Sequence, residues 1–262
     1  MNKIGFIGMG NMAMALAAGF LATGKVRGEE MCAFAPNQDK LRQNAQSLGF
    51  STRPTALAVA EDSDVVIMAC KPYQIEGVLA EPGVRDALAG KALVSVAIGW
   101  DWEKYAALVD PATRVQYVLP NTPAQVREGV FILEDKSSLT DEEQNWLEDL
   151  LGACGTVVKL PAYLIGAGSA VSGCGPAFVS MMMEAMADAA VKHGIQRKAA
   201  YQLVAQMVIG TGKLMLETGE HPGAMKDAVC SPGGTTIRGV IALEHAGMRA
   251  AFMDAVDAAS GK

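Results

Sequence analysis

The segment Gly8-Met9-Gly10-Asn11-Met12-Ala13 follows an apolar run at residues 3–7 and opens a helical pattern. In that setting a G-x-G-x-x-A spacing suits a dinucleotide. The first glycine makes the turn, the second lets a pyrophosphate reach the backbone, and the small sixth residue lets helix and strand pack closely. The second apolar run ends in Ala35-Pro36-Asn37-Gln38 with no Asp or Glu at its tip, where an NAD site would place an acid on the ribose hydroxyls. Asn37, with Lys40 and Arg42 nearby, favours NADP over NAD; alternatively, Asn37 only caps the helix that follows. Ala69-Cys70-Lys71-Pro72 and Ser95-Val96-Ala97 close two further runs, where ligands bind in open α/β sheets. Lys71 is either a surface charge or a group beside the cofactor. Asn121 and Thr122, in a proline-bracketed turn, serve the turn or a site. Cys230-Ser231-Pro232-Gly233-Gly234-Thr235-Thr236 precedes a helix, so the N–H groups of Gly233, Gly234, Thr235 and Thr236 form a cradle for a small carboxylate, or else an ordinary capping turn. Glu184, the first charge after 24 neutral residues, is expected on a buried helix, where it is functional or paired with a basic neighbour.

These residues need a scaffold. Strand signals fall at 4–7, 31–35, 65–68, 93–96, 115–118, 130–133 and 157–159. Helical stretches follow most of them, at 12–23, 39–48, 101–108 and 141–151. Thr140 with Glu143 makes a capping box for the last, whose pairs Glu142-Glu143 and Glu148-Asp149 read as solvated charge. Such alternation predicts a doubly wound, mostly parallel sheet over residues 1–159. From residue 160 to 262 only helices are expected, at 176–193, 197–218, 235–245 and 248–259. Ser172-Gly173-Cys174-Gly175-Pro176-Ala177 reads as a small-residue loop opening the first of them. Several are apolar on more than one face, which predicts homo-oligomerisation through this part, or cover by the first domain.

The net charge of −6 belongs to the first part, with 14 basic and 20 acidic residues against 8 and 8 in the second. An acidic surface argues against nucleic-acid or anionic-membrane partners. The five cysteines are scattered, the closest pair being Cys154 and Cys174, and three histidines lie far apart, so no metal site is expected. Free thiols and a start, Met1-Asn2-Lys3, without room for a signal peptide point to the cytoplasm. Residues 160–183 carry no charge and are long enough to span a bilayer, but prolines and glycines predict a buried helix–loop–helix instead. No nucleophile elbow or triad is present.

Together these motifs resemble pyrroline-5-carboxylate reductase. They are the Gly8–Ala13 loop, Lys71-Pro72, Ser95-Val96-Ala97, Pro120-Asn121-Thr122-Pro123, Ser172-Gly173-Cys174-Gly175-Pro176-Ala177 and Ser231-Pro232-Gly233-Gly234-Thr235-Thr236, in the family's order across nearly the whole chain. The resemblance implies reduction of 1-pyrroline-5-carboxylate to L-proline with NADPH, or NADH as second choice. It implies an N-terminal Rossmann domain and an all-α domain that interlocks into homodimers, often joined into decamers. Gly8, Met9, Gly10, Asn11 and Met12 would hold the pyrophosphate, and Asn37 the adenosine ribose or its phosphate. Ala69, Lys71, Pro72, Ser95 and Ala97 would line the nicotinamide half. Ser231, Gly233, Gly234, Thr235 and Thr236 would bind the substrate carboxylate, Glu184 is counted with the substrate residues, and Thr236 is the expected proton donor or relay. The chain departs from the family at Cys174 and Phe178, each lacking a hydroxyl, at Leu119 in place of Met, and at Pro161-Ala162-Tyr163 in place of acids. A 3-hydroxyacid dehydrogenase-like enzyme shares the opening but needs a lysine that residues 176–190 lack. A non-catalytic nucleotide-binding regulator is the third reading.

Overall fold

Short runs of β-branched and other apolar residues, buried at every position, build the centre of the sheet, as expected where helices cover both faces. The computed structural model describes residues 3–261, so the expectation for Met1-Asn2 lies outside the described residues. The chain forms two units, Met1–Gly173 and Cys174–Lys262. In chain order the first comprises β1 (Ile4–Ile7), α1 (Asn11–Ala22), β2 (Met31–Phe34), α2 (Gln38–Leu48), β3 (Ser51–Thr52), α3 (Ala56–Asp62), β4 (Val65–Met68), α4 (Ile75–Ala80) and α5 (Val84–Leu88). It continues through β5 (Ala92–Ser95), α6 (Trp102–Ala106), β6 (Arg114–Pro120), β7 (Gly129–Ser137), α7 (Asp141–Gly152), β8 (Gly155–Leu160) and α8 (Ala162–Gly168). The strand order is β3-β2-β1-β4-β5-β6-β7-β8. All neighbours are parallel except β6 and β7. The predicted mostly parallel, doubly wound sheet is present. β3, α3, α4 and α5 were not anticipated, being too short to show a period.

Alternation along the strands feeds two cores. Val65 and Ile67 of β4 pack with Phe6, Leu16 and Phe20 beneath one helical layer. Val66 and Met68 pack with Leu79, Leu88 and Tyr105 beneath the other. The predicted capping box starts α7: Glu143 N donates to Thr140 Oγ1 at 3.3 Å, and Thr140 N to Glu143 Oε2 at 2.9 Å. Glu143 is not solvated, however. It is 5% exposed and takes two bonds from Arg114, Nε to Oε2 at 2.6 Å and Nη2 to Oε1 at 2.5 Å. Glu148 and Asp149 pair with Lys159 and Lys25. The compact units divide at Gly173, and Ile165 of α8 packs with Tyr117, Leu119 and Ile132 of the sheet.

The second unit holds α9 (Gly175–Lys192), α10 (Arg197–Thr218), α11 (Pro222–Ala228), α12 (Thr235–His245) and α13 (Met248–Ser260). Its own core is small, centred on Ala187, Ala200 and Val204. The expected loop at 172–177 is instead a π-helical turn, Ser169–Gly173, leading into α9. Pro176 fits because it sits in the first turn, where its missing N–H would have had no helical partner. Among the described residues one helical stretch, Ala162–Lys192, is long and apolar enough to cross a membrane, and only 11% of its most apolar window is buried. The expectation of a buried helix–loop–helix is therefore corrected on both counts.

Candidate functional site

Gly8 has φ +98, and a Cβ there would meet Cys70 N at 2.5 Å and the Ala69 carbonyl carbon at 2.6 Å. Its N–H donates to Phe34 O at 2.8 Å. Only glycine allows this turn to lie so close to the end of β4. Gly10 differs: at φ −83 it is the N-cap of α1, and a Cβ there would meet nothing within 4 Å. Helix α1 has no side-chain cap and no acid in its first turn, so the N–H groups of Asn11, Met12 and Ala13 remain for an anion. Open space over a glycine at an uncapped helix N-terminus fits a pyrophosphate. Met9 is buried in the core, so it offers only its backbone, whereas Asn11 is exposed.

Asn37 does cap α2: its Oδ1 accepts from Lys40 N at 3.0 Å. The amide nitrogen is left to donate elsewhere, so the two readings of this residue are compatible. Gln38 Nε2 is taken by Ala35 O at 2.8 Å, and Arg42 is paired with Asp39. Of the two cations, Lys40 has no ion pair among the described residues.

Ala69 is half-buried, while Lys71 and Pro72 are exposed where the chain enters a 3₁₀ turn. Lys71 N donates to Gln74 Oε1 at 3.0 Å. Burial pushes the Cys70 thiol up to about 11, which keeps it protonated and unreactive. Ser95 departs from expectation: it is wholly buried, and its Oγ accepts from Ala97 N at 3.4 Å. It can shape the loop through that bond but presents no surface to a ligand, and Ala97 is nearly as buried. Asn121 serves structure. Its Oδ1 accepts from Val130 N at 2.8 Å, and its Nδ2 donates to Ser172 O at 2.9 Å. Sequence reasoning missed Tyr73, Ile98 and Val126, large apolar side chains exposed beyond the ends of β4, β5 and β6 at the ligand edge of the sheet. The available signal was an apolar residue in each turn just after a strand.

In the second unit, Gly233 at φ +69 makes the turn before α12, and Gly234 is its N-cap. Gly234 N donates to Ser231 O at 3.0 Å, so it is not free for a ligand as expected. The N–H groups of Gly233, Thr235 and Thr236, with the exposed Ser231, Thr235 and Thr236 hydroxyls, make up the cradle. Glu184 is exposed, not buried, and has no basic partner among the described residues. With Ser180, Met181, Met183, Tyr201 and Ala205 it lines a cavity of about 370 Å³. Among the described residues no cluster of His, Cys, Asp or Glu could hold a metal.

Two family descriptions match the chain: "NADP oxidoreductase coenzyme F420-dependent" over residues 3–99 and "Pyrroline-5-carboxylate reductase dimerisation" over residues 163–262. A pyrroline-5-carboxylate reductase of Treponema pallidum is 39% identical over 261 residues, covering 98% of each chain. That of Escherichia coli is 38% identical over 256 residues, covering 97% of this chain and 94% of its own. Among solved structures, a Plasmodium falciparum pyrroline carboxylate reductase with NADP bound superposes with a TM-score of 0.87 at 28% identity, covering 99% of this chain and 95% of the other. A Coxiella burnetii pyrroline-5-carboxylate reductase gives 0.87 at 32% identity, covering 99% and 96%. A phosphate-ready glycine turn on a Rossmann sheet, an oligomerising helical unit and this full-length likeness place the chain in the pyrroline-5-carboxylate reductase family, as an oxidoreductase that uses a nicotinamide cofactor.

Proposed function

We propose that this chain reduces 1-pyrroline-5-carboxylate to L-proline with NADPH in the cytoplasm, as the closing step of proline formation. One observation carries the reading: a Gly8–Gly10 turn with open space over an uncapped helix N-terminus, in the same chain as the reductase dimerisation region at 163–262. Gly8, Gly10 and the backbone of Met9, Asn11 and Met12 hold the pyrophosphate. Asn37 Nδ2, with Lys40, holds the adenosine 2′-phosphate, and no acid at the β2 tip opposes it. Ala69, Lys71, Pro72 and Ala97 border the nicotinamide end, with Ser95 setting Ala97 from below. Reduced nicotinamide bound there supplies a hydride to the imine carbon.

The chain's own residues then orient and neutralise. The cradle at 231–236 binds the substrate carboxylate through backbone N–H groups and hydroxyls at the start of α12. Thr236, or a water it holds, gives the ring nitrogen its proton when the imine enters neutral. Glu184, an exposed carboxylate, suits the charged iminium. We assign residues 160–262 to substrate binding and dimerisation. Leu203 and Leu216, 60% and 73% exposed, belong to the surface that a second copy covers, and the larger assembly is a decamer of five dimers. Free cysteines throughout the described chain support a reducing compartment. The 3-hydroxyacid reading loses ground because α9 up to residue 190 carries no lysine.

The test is oxidation of NADPH and of NADH in the presence of 1-pyrroline-5-carboxylate, with proline identified as product. Turnover with a preference for NADPH is expected. Tight NADPH binding without imine-dependent oxidation would leave the regulatory reading in its place.

A further inference from the structure

Glu134 is an unusual residue for the interior of a strand: a carboxylate on β7, 2% exposed, with no cation bonded to it among the described residues. Its Oε2 accepts from Trp102 N, the first residue of α6, at 2.9 Å. Burial pushes its carboxyl up, and that N–H works against the shift. Two more groups, one on the same side of the strand and one just past its end, converge on Trp102. Lys136 Nζ lies 4.2 Å from the ring centroid while paired with Glu103, and Ser138 Oγ accepts from Trp102 Nε1 at 3.2 Å. Residues 134 and 136 of β7, with Ser138 just past its end, thus fasten α6 to β7, the two strand residues sharing a side as the period of two allows.

Helix α6 in turn holds the loop that follows β5. Lys104 Nζ donates to Gly99 O, and the Trp100 ring packs on Tyr105 at 5.2 Å between centroids. Trp100 N donates to Ala97 O at 3.1 Å, closing the turn around the exposed Ile98. A buried charge costs stability unless something is gained from it. Here it fixes, through α6, the loop at the carboxyl end of β5.

We infer that Glu134 is a positioning residue for the nicotinamide end of the cofactor, acting through α6 on residues 96–100. This rests on the placing of that end proposed above. Glu134 touches neither cofactor nor substrate in this role.

The test measures dissociation constants of the full-length protein for NADP⁺ and for adenosine 2′,5′-bisphosphate, which lacks the nicotinamide half. Glu134→Leu removes the acceptor, and Glu134→Gln keeps it. Glu134→Leu is expected to weaken NADP⁺ roughly 10-fold, the size of a lost hydrogen bond to a charged group, and to leave the bisphosphate within about twofold. Glu134→Gln should restore NADP⁺ binding to within about threefold of wild type. Should Glu134→Leu not fold, Lys136→Met at the surface is expected to weaken NADP⁺ alone by about 2–5-fold, the cation–π share. Parallel weakening of both ligands, no weakening of either, or a Gln variant as poor as Leu would overturn the inference. A wild-type protein that bound the bisphosphate but not NADP⁺ would instead overturn the placing of the nicotinamide.

Discussion

Gly8 and Gly10 sit two residues apart in one motif, and the structure gives them opposite roles that single substitutions separate. At Gly8 an added Cβ meets backbone at 2.5 and 2.6 Å, and the φ of +98 is one that L-residues rarely adopt. The left-handed conformation costs about 1–2 kcal/mol. The overlap adds about 1–3 kcal/mol, because backbone at the end of β4 cannot rotate away as a side chain would. Gly8→Ala should therefore lose about 2–5 kcal/mol. At roughly 2–4 °C per kcal/mol for a chain of this size, the unfolding midpoint should drop by about 4–20 °C. Gly10→Ala meets no protein atom within 4 Å at φ −83, so only the poorer cap counts, about 1 kcal/mol or less. Its Cβ instead enters the space proposed for the pyrophosphate, and NADPH affinity should fall about 10–100-fold. Thermal unfolding without ligand, alongside fluorescence titration with NADPH, measures both. A Gly10→Ala protein that binds like wild type, or a Gly8→Ala protein that melts like it, would refute the division.

Thr236→Ala should lower kcat about 10–10³-fold with cofactor binding unchanged, checked by steady-state kinetics; an unchanged kcat removes it as donor or relay. Asn37→Asp keeps the cap on α2 but sets a negative charge against a 2′-phosphate. The NADPH-to-NADH ratio of kcat/KM should fall at least about 10-fold with the melting temperature unmoved. Burial pushes the Glu143 carboxyl up, but the Arg114 guanidinium and the Thr140 N–H outweigh this and leave it below the usual glutamate value. A group lowered on folding stabilises above its unfolded pKa, so this contribution fades as pH falls through the ordinary glutamate range and below. Glu143→Gln should cost about 1–3 kcal/mol at pH 7 in urea unfolding and progressively less towards pH 3, since Arg114 keeps partial contact with water. Leu203→Asp with Leu216→Asp should yield monomers by sedimentation if a second copy covers α10.

What the sequence showed depended on how local the cause was. The Gly8–Ala13 turn, β1 and β4 were legible because each needs only neighbours: a glycine spacing, or a short run buried on both faces. The capping box of Thr140 and Glu143 was legible for the same reason. That Glu143 is buried was not, because Arg114, its partner, lies on a strand 29 residues away in the chain. Ser95 repeats the case. Its position at a strand's end pointed to the site, but which way the side chain faces depends on the pleat and on the core beneath it. The π turn at Ser169–Gly173 escaped notice because glycine and serine signal a loop, and only packing of the flanking helices decides otherwise.

The helical unit shows the same limit on a larger scale, and here the sequence read more than one chain can display. Apolar residues on several faces of α9 and α10 led to the expectation of homo-oligomerisation, or of cover by the first domain, and in the single chain Met181, Leu203 and Leu216 are 71%, 60% and 73% exposed. The pattern encodes burial in an assembly, not burial in a protomer. Monomeric proteins rarely leave so many large apolar side chains in water. Ala162–Lys192 meets the length and composition of a membrane span for the same reason: a helix that awaits a second copy has the apolar content of one that awaits lipid. What separates the two is the company it keeps. Glu184 and Asp188 stand on this same stretch, and Asp188 is ion-paired with Arg197 at the start of α10. A carboxylate and an ion pair on the helix are costly in hydrocarbon but ordinary beside a substrate site or at the rim of a protein interface. The exposed faces of this unit are therefore best accounted for by a second copy of the chain, which the dimerisation match over residues 163–262 supports independently.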